Sequence, residues 1–313
     1  MVIISLFLCL VSLFLVIKSS NYAIKYSSHL AKSLHLSQFV VSFFIIAIIS
    51  ALPETTIAIF SAINGEPELG VGTLLGGNIT DLTLIFGIVA LVSSKGIKVK
   101  SKILRNNILY LIMLFVPIIL GIDGKFSRID GLILIALGII FFIKIYHNST
   151  KFTKKFNHTK KEPFAKSLLL LILSLLVLLV SAYFTVEFAT DFAYGIGIPL
   201  VIIGITIIAF GTCLPELTIS LRSVKTNSDE IALGDILGTV MTDATIVMGI
   251  VALISPFNWA FSGFFVTGIT RFIAGIFVIV FMKSEKSINK IEGIFLVLFY
   301  ILFIFIEIML SYI

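Results

Sequence analysis

Charge is scarce in this chain. Of its 313 residues, 13% are Asp, Glu, Lys or Arg and 58% are hydrophobic, a balance that excludes an ordinary soluble globular domain. Cysteine is scarcer still: Cys9 and Cys213 both lie inside apolar runs, which excludes a disulfide framework. The four histidines, His29, His35, His147 and His158, fall in or near loops without ligand spacing, so no histidine metal centre is expected. The formal net charge is +6, yet the lysines fall between apolar runs rather than in a basic domain. They bear on membrane orientation, and no nucleic-acid partner is expected.

What remains is long apolar runs. Segments of spanning length fall at about 2–26, 37–63, 70–94, 103–121, 128–146, 166–190, 198–223, 231–254, 259–282 and 289–311, where about 20 mostly apolar residues suffice for one crossing. The fold class is therefore an all-α polytopic membrane protein with ten transmembrane helices. Barrel strands are not expected, because the runs are continuous rather than short and alternating. The first run, MVIISLFLCLVSLFLVIK, lacks a basic leader and a convincing small-residue cleavage site, so it reads as a spanning helix.

Ten spans put every second loop on one side. That side collects Lys25 and Lys32, the group Lys95 to Arg105, the group Lys151 to Lys161, then Arg222, Lys225, Lys283, Lys286 and Lys290, whereas the other offers little beyond Lys125 and Arg128. The basic side is expected to face the cytoplasm of a cell-membrane protein, with both termini outside. The polar stretch YHNSTKFTKKFNHTKKEP joins spans five and six. It suggests a first five-helix unit over 1–146, a cytoplasmic linker over 147–165 and a second unit over 166–313.

The two units are copies. A shift of 162 residues lays Ala51–Ser93 over Cys213–Ser255 without a gap, matching Pro53 with Pro215, Glu54 with Glu216, Gly76 with Gly238, Asp81 with Asp243 and the whole block GIVAL. Five spans is an odd number, so the second copy is expected to enter the membrane inverted. Inverted repeats are the architecture of many secondary transporters, whose sites form at the midplane on interrupted helices. LPE at 52–54 and LPE at 214–216 mark helices two and seven as the interrupted pair.

Proline in a helix interior costs about 3 kcal/mol or more, and an acid at the bilayer centre roughly 2.5–3.5 kcal/mol. Four acids nevertheless lie deep in spans: Glu54, Asp81, Glu216 and Asp243. Carbonyls freed by Pro53 and Pro215 need partners that lipid does not supply. Ser50 and Thr212 lie one turn before the glutamates, Thr239 one turn before Asp243, and Thr80 and Thr242 add hydroxyls. Carboxylates, carbonyls and hydroxyls are hard oxygen donors, which favours calcium, magnesium or sodium over zinc or copper. Magnesium dehydrates reluctantly, so calcium is preferred. The expected metal ligands are Glu54, Glu216, Asp81, Asp243, Ser50, Thr212 and Thr239. Arg271, in span nine, is expected to snorkel to an interface or to pair with an acid. ALGD (Ala232 to Asp235) lacks the first glycine of the G-x-G-D of intramembrane aspartyl proteases, and the repeat accounts for it better.

At these residues the sequence resembles the calcium:cation antiporter superfamily, and most closely the prokaryotic sodium/calcium exchangers. That family carries two inverted repeats, each with a G-T-S-x-P-E-like motif followed by a G-N/D-x-x-G-S/T-like motif. Here the first pair reads IISALPE and GTLLGGNITD, and the second AFGTCLPE and GDILGTVMTD. The resemblance implies a ten-helix antiporter, not an enzyme and without a cofactor, that exchanges calcium for sodium by alternating access. By position Glu54 and Glu216 would hold calcium, with Ser50 and Thr212 in support. The lipid bilayer and the transported cations are the implied partners, and one copy of the chain suffices for the site.

The departures from the motif are specific. Ala51, Cys213 and Gly77 stand where the family commonly has serine, Asp81 where many exchangers have asparagine, and Thr73 and Asp235 where an asparagine follows the glycine. Hydroxyls are lost and a carboxylate is gained. Proton-coupled exchange of calcium or another divalent cation is therefore an alternative, and a cation channel with the same acids as its selectivity ring is an alternative of another class.

Overall fold

The computed structural model describes residues 2–32, 43, 46–99, 108–149, 164–258, 261–284 and 286–311. Among them, eight helices are long and apolar enough to cross a membrane. Two shorter apolar helices, Leu52–Ile63 and Ile108–Asp123, stand at the predicted second and fourth spans. The N-terminal parts of those two spans lie largely outside the described residues.

The helices in chain order are α1 (Val2–Lys32), α2 (Ala47–Ser50), α3 (Leu52–Ile63), α4 (Pro67–Val92), α5 (Ile108–Leu120), α6 (Arg128–Ser149), α7 (Phe164–Ile196), α8 (200–212), α9 (Leu214–Lys225), α10 (Asp229–Ile254), α11 (Phe261–Ser284) and α12 (Lys290–Ser311). The LPE motifs break their helices as expected. α2 ends at Ser50 and α3 starts at Leu52, and α8 and α9 meet in the same way at Cys213. Each proline falls in the first turn of the new half-helix, where its missing N–H leaves no gap.

α4 and α10 form the centre, with 78% and 83% of their apolar windows buried, against 28% for α6 and α12 at the periphery. Around them Leu82, Phe86, Leu114, Phe141, Met241, Ala274 and Leu296 join one apolar core. The outer helices turn Ile129, Leu132, Ile140, Leu298 and Ile301 outward, where lipid would cover them.

α1 and α7 occupy matching places in the two repeats and run antiparallel, with Val2 of α1 meeting α7 at Gly195 near its other end. Ala182, Ala189 and Ala193 let them approach closely over Cys9, Leu13 and Val16. At 31 and 33 residues these helices are longer than the predicted spans. About 1.5 Å of rise per residue makes each longer than the roughly 30 Å hydrocarbon layer, so they tilt or protrude.

Other contacts repeat under the same shift of 162. A methyl group on Gly76 would sit 2.5 Å from the carbonyl oxygen of Ile205, and one on Gly238 would sit 2.7 Å from that of Phe43, the counterpart of Ile205. Gly87 faces Gly293 and Val297, while Gly249 faces Gly131 and Ile135. The central helix of each half is thus clasped by helices of the other half. Two short antiparallel ladders, absent from the sequence expectation, tie the loops together. β1 (Ile97–Lys98) pairs with β4 (Ser287–Ile288), and β2 (Lys125–Phe126) with β3 (Phe257–Asn258). Each ladder also joins one half to the other.

Candidate ion site

Six carboxylates are buried among the described residues: Glu307, which accepts a 2.6 Å hydrogen bond from Thr267, and five that are at most 2% exposed, Glu54, Asp81, Glu216, Asp235 and Asp243. Glu54 and Glu216 sit in the first turn of α3 and α9, where the backbone N–H groups have no intrahelical acceptor and the helix dipole favours negative charge. Glu54 Oε2 and both carboxylate oxygens of Glu216 have no hydrogen-bond partner. Such oxygens are costly in a dry interior unless a cation or proton meets them.

Asp81 and Asp243 each stand where α4 and α10 leave α-helical bonding for a π-helical stretch, Asp81–Ile85 and Thr242–Val247. Such insertions open the backbone ladder and recur at functional sites. The hydroxyls of Thr80 and Thr242 donate to the carbonyls of Gly76 and Gly238 one turn back, at 2.8 and 2.9 Å, which leaves their oxygen lone pairs free. Glu54 interacts electrostatically with Asp243, Asp81 and Asp235, and Glu216 with Glu54, Asp81 and Asp235. No three acids, cysteines or histidines among the described residues converge as a ready-made metal cage.

The two halves of the site differ. On one side Ser50 donates 2.7 Å to Asp235 Oδ1, lies 3.1 Å from Thr239 Oγ1 and donates 3.2 Å to the Ala47 carbonyl, which Thr239 also reaches at 3.2 Å. On the other side, among the described residues, Thr212 reaches only the Ala209 carbonyl at 3.2 Å, and Thr73, the counterpart of Asp235, reaches only that of Leu69. There Cys213 Sγ fills the space beside Gly77, 3.5 Å from its carbonyl oxygen, and interacts with Asp81. One flank is oxygen-rich and carries an extra acid; the other carries sulfur.

Sequence reasoning does not count Asp235 among the expected ligands and notes it as a departure from a motif and as the acid of ALGD. The signal was its place one turn before Thr239, facing Ser50 of the other half. Arg271 does not snorkel. It is fully buried, with Nη2 donating 3.0 Å to the Leu114 carbonyl, and it interacts electrostatically with Asp243 and Tyr110.

Buried acids between interlocked apolar helices define a polytopic membrane protein. The chain belongs to the sodium/calcium exchanger protein family, whose profile matches residues 4–146 and 166–309. An uncharacterized membrane protein of Methanocaldococcus jannaschii, MJ0091, is 32% identical over 72% of this chain and 73% of its own. The sodium/calcium exchanger MaX1 of Methanosarcina acetivorans is 24% identical over 97% and 98%. The solved structure of the sodium-calcium exchanger NCX_Mj soaked with Na+ and Sr2+ superposes with a TM-score of 0.70 at 28% identity, covering 96% of this chain and 98% of that one.

Proposed function

We propose that the protein is a secondary antiporter that exchanges calcium for sodium by alternating access, with its site at the midplane between the halves. The observation that carries this reading is the pair of buried glutamates, Glu54 and Glu216, at two matching helix breaks with unpartnered oxygens. Calcium takes about 6–8 oxygens. The two glutamates would supply up to four, and backbone carbonyls at the breaks would add others. Ser50, Thr212, Thr239, Asp81 and Asp243 would hold the coupling cations. The membership of the chain in an exchanger family and the names of its relatives support the same assignment.

Charge counting fits this reading. Glu54, Asp81, Glu216, Asp235 and Asp243, set against the Arg271 guanidinium and leaving aside Glu307 on Thr267, leave four negative charges when all are ionised. A divalent ion meets two, and monovalent cations or protons meet the rest. On this reading one chain suffices for transport, residues 1–146 and 166–313 act as the two rocking units, and the linker 147–165 is cytoplasmic with both termini outside.

A second reading, proton coupling, is favoured by one specific observation. Asp81 faces the thiol of Cys213 where the family motif has hydroxyls. Calcium uptake into proteoliposomes with sodium and pH gradients imposed separately decides between the two. Uptake driven by sodium at fixed pH supports sodium exchange, and uptake driven only by the pH gradient assigns the proton. A calcium current that persists without any counter-ion would overturn antiport in favour of a channel.

A further inference from the structure

Arg271 has no counterpart in the first half. The repeat shift of 162 brings Leu109 to its place. A fully buried arginine in a membrane bundle is costly unless paired, because its five N–H donors find no water. Here one nitrogen, Nη2, is satisfied by the Leu114 carbonyl, while Nε and Nη1 have no hydrogen-bond partner. Tyr110 lies one turn before Leu114 on the same face of α5, and its hydroxyl also lacks a partner. So does Asp243 Oδ1, and Asp243 interacts electrostatically with Arg271 with no hydrogen bond between the two side chains, so two unpartnered N–H groups and an unpartnered carboxylate oxygen share one buried cluster. Its repeat-mate Asp81 interacts with the thiol of Cys213 and the acids Asp235, Asp243, Glu54 and Glu216, and with no arginine or lysine among the described residues.

We infer that Arg271 is a tethered counter-cation for Asp243 and so fixes how many mobile cations the site takes up in exchange for one calcium. The inference rests on the proposed exchange reading and deepens it. Asp81 would depend on a transported cation or proton, whereas Asp243 carries part of its neutralisation on the chain. The unpartnered Nε and Nη1 would turn to Asp243 when the site stands empty of monovalent ions, so that the carboxylate is not left bare during the return step. Arg271 is thus a specificity-determining residue rather than a calcium ligand.

The test is equilibrium binding of radioactive calcium to the purified protein, titrated with sodium at fixed pH and with pH at fixed sodium. The slope of log apparent affinity against log cation concentration counts the cations displaced per calcium. Arg271→Gln should raise the sodium slope or the proton slope by about one, and Arg271→Lys should keep both at the wild-type values. A merely structural arginine that braces the Leu114 carbonyl would lower stability without changing either slope, and unchanged slopes in a folded Arg271→Gln protein overturn the inference. If that variant is not recovered folded, the double variant Arg271→Gln, Asp243→Asn decides. Recovery of a monodisperse protein supports the charge pair, and continued loss overturns it. Glu54→Gln separates the two levels: calcium binding equal to wild type in that variant would overturn the site assignment, whereas unchanged slopes with Glu54 essential overturn only the role of Arg271.

Discussion

Ser50 donates a 2.7 Å hydrogen bond to Asp235 across the boundary between the two halves, joining residues 185 positions apart. Asp235→Asn keeps an acceptor for that hydroxyl and removes one charge. Calcium uptake should persist in this variant, with the sodium or proton slope lowered by about one. Asp235→Leu removes the acceptor as well and should cost about 1–3 kcal/mol, read as a lower unfolding temperature in detergent.

Glu54→Gln and Glu216→Gln should each abolish calcium uptake into proteoliposomes while eluting as a folded, monodisperse protein. A neutral amide still fills the space, but its single carbonyl oxygen cannot hold calcium as a carboxylate does. Normal transport by either variant would reassign the site.

Asp81→Asn should change the coupling ion or the pH dependence of uptake more than the affinity for calcium. Cys213→Ser, in the same flank, replaces the sulfur beside Gly77 with a hydroxyl that the space accommodates. One added hydrogen-bonding oxygen, worth about 1 kcal/mol, should make sodium compete several-fold better. Measuring sodium competition against bound calcium in the two variants checks both.

Gly76→Ala should destabilise the fold without touching an ion ligand. The added methyl would lie 2.5 Å from the Ile205 carbonyl oxygen and 2.6 Å from the Ile205 Cα, both backbone atoms that cannot step aside. Overpacking of this kind costs about 1–3 kcal/mol, and the unfolding temperature of the purified protein should fall accordingly. Gly77→Ala is the contrast: its nearest neighbour there is Cys213 Sγ at 3.7 Å, an ordinary contact, so stability should barely change.

The fold was legible because its determinants are local and repeated. Each spanning helix announces itself by length and hydropathy, and Pro53 and Pro215 interrupt their helices through a backbone rule that needs no tertiary context. The importance of Glu54 and Glu216 followed from the cost of intramembrane charge, which holds wherever the neighbours lie.

By itself the sequence determined the number of apolar spans, the duplication and the two matching acid pairs, since all of these are written in period, composition and self-similarity. Tertiary structure alone decided which groups face one another. It placed Asp235 on Ser50, Cys213 against Gly77, and a fully buried Arg271 on the Leu114 carbonyl. Those pairings join residues far apart in the chain, and their electrostatics depend on distance and on the absence of water, neither of which a linear pattern encodes.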